Sequence, residues 1–302
     1  HKKLQIAMTK LYPGNLVLSL SSGIMYHRLV DRITALNDVP REPLVPRRLG
    51  KNMCVPFGKI LRGKVVPNTV TKTLHTDKVY EPDLNSFTIE PFPYYSPLKS
   101  QIETIKSFDR PVILVDDLVH TANRLQVLVP QLREDGIPIK KVVVGVLSGY
   151  GRDLMQCLKV PVESIYSMPN LRQWFVESTL YPFIGGDTVR REEMKVAGLQ
   201  PSINMILPYA TPRLSGCSRE ALVEFSACCI ENSRDLFQVL EAEYRKMYAK
   251  NLTLSRLSEA VILPLCPDKG SCMEYDENLA ASVYLENDLE TLWRMKEFLI
   301  KG

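Results

Sequence analysis

The chain has 302 residues, 45% of them apolar and 24% charged, enough to bury one or two globular cores and free of low-complexity tracts or internal repeats. Its net charge of +4 is unevenly divided: residues 1–217 carry 28 Lys/Arg against 19 Asp/Glu, whereas residues 218–302 carry 10 against 15. No apolar run is long enough to span a bilayer, and the seven cysteines and four histidines lack zinc-ligand spacing, so reduced thiols in a cytoplasmic protein are expected. The numbering opens on His1 rather than Met with no signal-peptide pattern, so a longer natural chain is expected.

Residues 15–22, NLVLSLSS, read as a strand ending in small hydroxyl residues. After Gly23, residues 24–37 place apolar side chains at 25, 29, 33 and 36, a helical period. A strand, Ser21-Ser22-Gly23 and a helix make a geometry able to cradle an anion, although a Ser-rich helix cap explains the same residues. Residues 40–97 differ in kind. Nine of the 21 prolines lie there, and between Arg41 and Lys78 nine Lys/Arg face two acidic residues. Such a stretch reads as a basic, proline-punctuated inserted loop or small hood rather than long regular elements. Within it TVTKTLHTDK (69–78) suits a solvated basic hairpin strand. FTIEPFPYYSPL (87–98) is an aromatic cluster for packing or for closing a pocket, and LKSQIETIKSF (98–108) reads as a helix.

The segment VILVDDLVHTANR (112–124) is the most informative. Four apolar β-formers, Val112 to Val115, lead into the adjacent carboxylates Asp116 and Asp117, a short polar turn and the helical string LQVLVPQLRED, closed by Gly136 and Pro138. Pro130 is expected to kink that helix. IKKVVVGVL (139–147) supplies the next buried strand, completing a βαβ unit in which the loop after the first strand faces ligand. Adjacent like charges are unfavourable unless a cation or hydroxyl groups use them, though a strand end followed by a helix cap is the plainer alternative. LSGYGRD (147–153) reads as a turn in which Gly149 and Gly151 permit close approach near the ligand. A short strand near 162 precedes a loop with Trp174 and Tyr181. From about residue 187 the pattern turns helical: 218–250 capped by Ser218, 252–265, and 287–299 with Asn287 and Glu290 as a capping box.

VILVDDLVHTANR resembles the phosphoribosyl-pyrophosphate (PRPP) motif of type I phosphoribosyltransferases. The resemblance implies that Asp116 and Asp117 hold the ribose hydroxyls and serve the Mg2+ that accompanies PRPP. It implies that the loop His120, Thr121, Ala122, Asn123 and Arg124 cradles the 5′-phosphate through its amides and the helix start. Ala122 and Asn123 stand where the family usually has glycines, and Arg124 where a small hydroxyl residue is usual, so either the loop path differs or Arg124 supplies charge. By the same resemblance Ser21, Ser22 and Gly23 would form the pyrophosphate loop, and Lys72, His75 and Lys78 a basic loop closing over the leaving pyrophosphate. Trp174 or Tyr181 could face a nucleobase. Residues 51–187 are also similar to the phosphoribosyltransferase-like part of bacterial cytidyltransferase-related proteins.

The expectation is therefore an α/β protein. A mostly parallel twisted sheet of phosphoribosyltransferase type, with helices on both faces, would occupy residues 1–187, and a helical C-terminal unit residues 188–302. Its ligand would be PRPP or a related nucleotide with Mg2+, and its reaction, if active, phosphoribosyl transfer with pyrophosphate release. The alternative is a PRPP- or nucleotide-sensing scaffold accompanying a nucleotidyltransferase domain. Neither a membrane nor nucleic acid is an expected partner, and a homodimer is compatible with the chain. Asp117→Asn is expected to abolish PRPP binding while leaving the melting temperature nearly unchanged.

Overall fold

The computed structural model describes residues 2–46, 48–92, 95–190, 201–212, 217–257, 263–264 and 275–301. In chain order its helices are α1 (Lys2–Leu11), α2 (Ser22–Leu36), α3 (Leu98–Lys106), α4 (Asn123–Glu134), α5 (Gly149–Cys157), α6 (Arg219–Tyr248), α7 (Leu254–Leu257) and α8 (Ala281–Lys301). The first seven strands are β1 (Met53–Pro56), β2 (Val70–Thr71), β3 (Thr76–Tyr80), β4 (Phe87–Pro91), β5 (Val112–Val119), β6 (Ile139–Ser148) and β7 (Val162–Met168). Three short ones follow, β8 (Asp187–Val189), β9 (Pro201–Ile203) and β10 (Leu263–Pro264). The chain divides into two compact units, one of residues 20–78 and 89–174, the other of 1–19, 79–88 and 175–302. The expected boundary at 187 therefore falls within the second unit, to which the first nineteen residues also belong.

The unit of residues 20–78 and 89–174 is built on a five-stranded, wholly parallel sheet in the order β2-β1-β5-β6-β7. The alternation of strand side chains decides what each face meets. Cys54, Ile113, Val115 and Val143 pack against Met25, Leu29, Val30 and Ile33 of α2. Met53, Val55, Val112, Leu114, Val142 and Val144 pack with Ile102 and Ile105 of α3, Leu125, Leu128 and Leu132 of α4, and Met155 of α5. Helices thus cover both faces, and strands buried on both sides read as continuous apolar runs.

Three expectations are corrected here. Residues 15–21 form no strand; Ser21 instead caps α2, its hydroxyl accepting the Ile24 amide at 3.4 Å. The stretch 40–97 is not merely a hood, because it contributes β1, fully buried beside β5. The turn expected at 147–153 is the start of α5, where the Ser148 hydroxyl accepts the Gly151 amide at 2.9 Å. A Cβ on Gly151 would overlap the Val119 carbonyl, and one on Gly149 would lie 2.6 Å from the Pro169 carbonyl oxygen. These glycines thus let α5 approach protein backbone.

In the other unit Val79 and Tyr80, at the end of β3, pair in parallel with β8, β8 pairs antiparallel with β9, and β9 in parallel with β10; Thr76 to Lys78 of β3 belong to the first unit. Its core gathers Leu4 and Leu11 of α1, Val223, Phe225, Ile230 and Phe237 of α6, and Leu285 and Leu292 of α8. Ser218 caps the thirty-residue α6 as expected, accepting the Ala221 amide at 3.1 Å. Helix α8 begins at Ala281, so Asn287 and Glu290 lie in its interior and form no capping box. Of the helix expected over 252–265, α7 holds four residues, and 258–262 lie outside the described residues, as do Cys266 and Cys272. No helix among the described residues is long and apolar enough to cross a membrane.

Candidate functional site

The sheet order sets where a ligand can enter. From β1 the chain first builds outward to β2, then returns to build β5, β6 and β7 on β1's other side. Ligands of open α/β sheets bind outside the carboxyl ends of the strands where the order reverses, here between β1 and β5. Phe57 extends the β1 pairing by donating its amide to the Val115 carbonyl at 3.0 Å. The next three residues, Gly58, Lys59 and Ile60, then turn directly over the acidic pair. The Ile60 amide donates to Asp117 Oδ1 at 2.8 Å and the Lys59 amide to Asp117 Oδ2 at 3.2 Å. Strand β5 does not stop at the carboxylates but runs on to Val119, with Asp116 level with Val144 of β6.

Asp116 is 8% exposed, and its Oδ1 accepts the Asp117 amide at 2.8 Å. Burial and the neighbouring Asp117 carboxylate raise its pKa from the ordinary 3.8 to about 7, against the opposing pull of Arg124, that amide and Arg62. A consequence for stability follows. Between about pH 4 and 7 the folded protein keeps a proton that the unfolded chain releases, so stability falls as pH rises through that window and the loss is complete above it. Asp116→Asn is expected to flatten this fall and to be more stable than the parent at pH 8 by on the order of 1–2 kcal/mol. Urea denaturation at pH 5 and pH 8 checks it; an equal difference between the two proteins at both values would refute the assignment.

Around Asp116 stand two arginines. Arg124, at the start of α4, places Nη1 4.0 Å from Asp116 Oδ1 and Nη2 3.9 Å from Asp77 Oδ1 on β3. Arg62 donates from Nη2 to the Thr76 carbonyl at 3.3 Å and lies over the Phe92 ring at 4.9 Å. Its Nε is buried without a hydrogen-bond partner, as are His75 Nδ1 and Thr76 Oγ1. The His75 ring stacks on Tyr95 at 3.8 Å, and its pKa is lowered by burial first and then by Arg62 and Lys72. The aromatic cluster expected over 87–98 thus meets Arg62 and His75 through Phe92 and Tyr95; residues 93–94 lie outside the described ones.

The loop from β5 to α4 keeps the path that glycine would favour. Ala122 adopts the left-handed conformation, φ 51° and ψ 21°, and offers no side-chain cap to the first turn of α4. Ordering an alanine so costs about 1–2 kcal/mol. Asn123 donates to Thr121 Oγ1 at 2.8 Å, and Gln126 donates to the Thr121 carbonyl at 3.1 Å, bracing the loop. The Ser148 hydroxyl, which accepts the Gly151 amide, also shares a hydrogen bond of 2.8 Å with His120 Nδ1, holding that ring beside Tyr150.

Of the residues singled out in the sequence, Asp116, Asp117 and Arg124 come together, with His75 beside Arg62. Ser21 serves as a helix cap, with Ser22 and Gly23 in the first turn of α2. The Lys72 amide extends the sheet by donating to the Cys54 carbonyl at 3.0 Å, and the Lys78 amide donates to Asp77 Oδ1 at 2.9 Å. Trp174 is 47% exposed. Tyr181 belongs to the other unit, where its phenol donates to Glu177 Oε1 at 2.7 Å. Sequence reasoning missed Gly58, Lys59, Ile60, Arg62 and Asp77. The string MCVPFG, an apolar run broken by glycine, was the available signal for the first three.

The donor set does not suit a resident Mg2+. That ion asks for one or two free carboxylates in octahedral geometry. Each Asp117 oxygen already accepts a backbone amide, and the guanidinium of Arg124 lies 4.0 Å from Asp116 and 3.9 Å from Asp77, so a dication there would face a positive charge already in place. Among the described residues, no group of three or more His, Cys, Asp or Glu side chains gathers to hold a metal.

No protein-family model and no curated protein matches the chain. Solved structures similar to it include a purine phosphoribosyltransferase from Pyrococcus horikoshii Ot3, at 13% identity over 53% of this chain and 97% of that one, with a TM-score of 0.31. Hypoxanthine phosphoribosyltransferase from Trypanosoma cruzi is similar at 17% identity, over 53% of this chain and 80% of that one, TM-score 0.30. Adenine phosphoribosyltransferase from Thermoanaerobacter pseudethanolicus is similar at 9% identity, over 55% and 99%, TM-score 0.30.

Proposed function

We propose that the α/β unit binds a phosphoribosyl ligand of the PRPP kind in the crevice between the carboxyl ends of β1 and β5. The observation that carries this reading is the acidic pair of β5, set at the reversal of strand order and ringed by Arg62, Arg124 and the Lys59–Ile60 turn. Asp116 faces the ribose hydroxyls, to which a carboxyl near its midpoint can both donate and accept. The uncapped first turn of α4 and the amides of residues 121–124 take the 5′-phosphate, where the helix dipole favours an anion. Arg62, Arg124 and Lys59 neutralise pyrophosphate as it leaves C1′. Fixed charges placed where charge develops are how such a displacement is accelerated, and Asp116 also tolerates the cationic sugar.

Binding without turnover is the second reading. It is favoured by Arg124, whose guanidinium spans Asp116 and Asp77, and by the left-handed Ala122. One series of measurements separates the two. PRPP at a hundredfold excess over its Kd is expected to stabilise the protein by about 2.7 kcal/mol, with ribose 5-phosphate and pyrophosphate each doing less. Pyrophosphate release across a panel of bases and amines then marks an enzyme, and its absence a sensor. No stabilisation by any of the three ligands would reject the phosphoribosyl reading.

A further inference from the structure

The Arg124 guanidinium stands 4.0 Å from Asp116, and a turn of backbone amides lies on Asp117. Arg124 lies 4.0 Å from Asp116 and 3.9 Å from Asp77, beyond the 2.7–2.9 Å of a tight charge-assisted hydrogen bond, so its donors are not saturated by either acid. Arg62 is anchored by Thr76 and Phe92, yet its Nε is buried with no partner, and beside it the fully buried Thr76 Oγ1 has none. Buried polar groups in this state ordinarily hold an ordered water or a ligand. Each oxygen of Asp117, the other carboxylate a metal could use, already accepts a backbone amide, from Ile60 and Lys59, and keeps one lone pair.

We propose that Arg124 and Arg62 take the place of the divalent cation, so that the site binds its phosphorylated ribose as the metal-free anion. The inference rests on the phosphoribosyl reading above and deepens it. The planar guanidinium presents paired donors that match phosphate oxygens, and in this pocket that of Arg124 is drawn toward two carboxylates without being saturated by them. A metal brought to Asp116 would meet the Arg124 guanidinium at close range, whereas a free polyphosphate meets complementary charge.

Calorimetric titration of the full chain with PRPP, once in EDTA and once in excess MgCl2, tests this directly. The Kd in EDTA is expected to equal that in magnesium within about threefold. Arg124→Ala, checked for an unchanged circular-dichroism melt, is expected to bind at least about 30-fold more weakly in EDTA, with part of the loss recovered on adding Mg2+ and Arg124→Lys falling between. Wild-type binding that weakens more than about tenfold in EDTA overturns the proposal while leaving the phosphoribosyl reading intact. Tighter binding by Arg124→Ala also overturns it, because Arg124 would then be an obstruction. If the wild type binds under neither condition, the phosphoribosyl reading fails and takes this inference with it.

Discussion

Gly58→Ala is expected to destabilise the protein by about 2–4 kcal/mol and to abolish binding of PRPP. A Cβ at residue 58 would overlap Asp116 Oδ1 and would lie 2.8 Å from Asp117 Oδ1 and 3.0 Å from the Asp117 amide nitrogen. None of these is the free end of a flexible chain. Asp116 is buried and bonded to the next amide, and Asp117 is gripped by two others. The turn after β1 must therefore lift, which breaks the Lys59 and Ile60 bonds, or the carboxylates must rotate away from the crevice. Either movement spoils the site and the packing at once. Urea denaturation reads the first effect and calorimetry with PRPP the second. Wild-type stability in Gly58→Ala would mean that the turn does not sit against the acids.

Asp117→Asn is expected to lose about 1–3 kcal/mol of stability as well as affinity. Each carboxylate oxygen accepts one backbone amide. An asparagine amide can accept one of those bonds but turns its own N–H2 toward the other donor, leaving it unsatisfied. The nearly unchanged melting temperature expected from sequence alone is thus replaced by a clear decrease. Asp116→Asn, by contrast, removes an unfavourable buried charge above pH 7 and moves stability the other way. Opposite signs for two adjacent, chemically identical substitutions make a stringent check; melts of both variants at pH 8 that shift in the same direction would contradict it.

What the sequence disclosed followed from local pattern. The segments of β5, α4 and β6 carry long apolar runs, a Gly–x–Pro stop and the acidic pair within forty residues, so strand, helix and strand could be read without tertiary context. Helix α6 was legible for a similar reason, a capping Ser218 ahead of seven apolar positions at helical spacing. Strand β1 was not. It is four residues long, ends in Pro56 and is embedded in the most basic, proline-rich part of the chain, so composition argued against one of the two strands that flank the central β5. Its loss from the reading also hid Gly58, Lys59 and Ile60. The Ser21-Ser22-Gly23 string offered a more conspicuous turn, but a small hydroxyl before a helix satisfies the same pattern by capping. Arg124 was noticed as a departure, but its relation to Asp77 joins residues 47 apart in sequence and has no local signature.

The most direct test of the account is a crystal structure of the protein soaked with PRPP. The account predicts ribose hydroxyls within hydrogen-bonding distance of Asp116, the 5′-phosphate on the amides of residues 121–124, and pyrophosphate oxygens on Arg62, Arg124 or Lys59. Density for PRPP away from the β1–β5 crevice, or a crevice left empty at a concentration that saturates binding in solution, would contradict it.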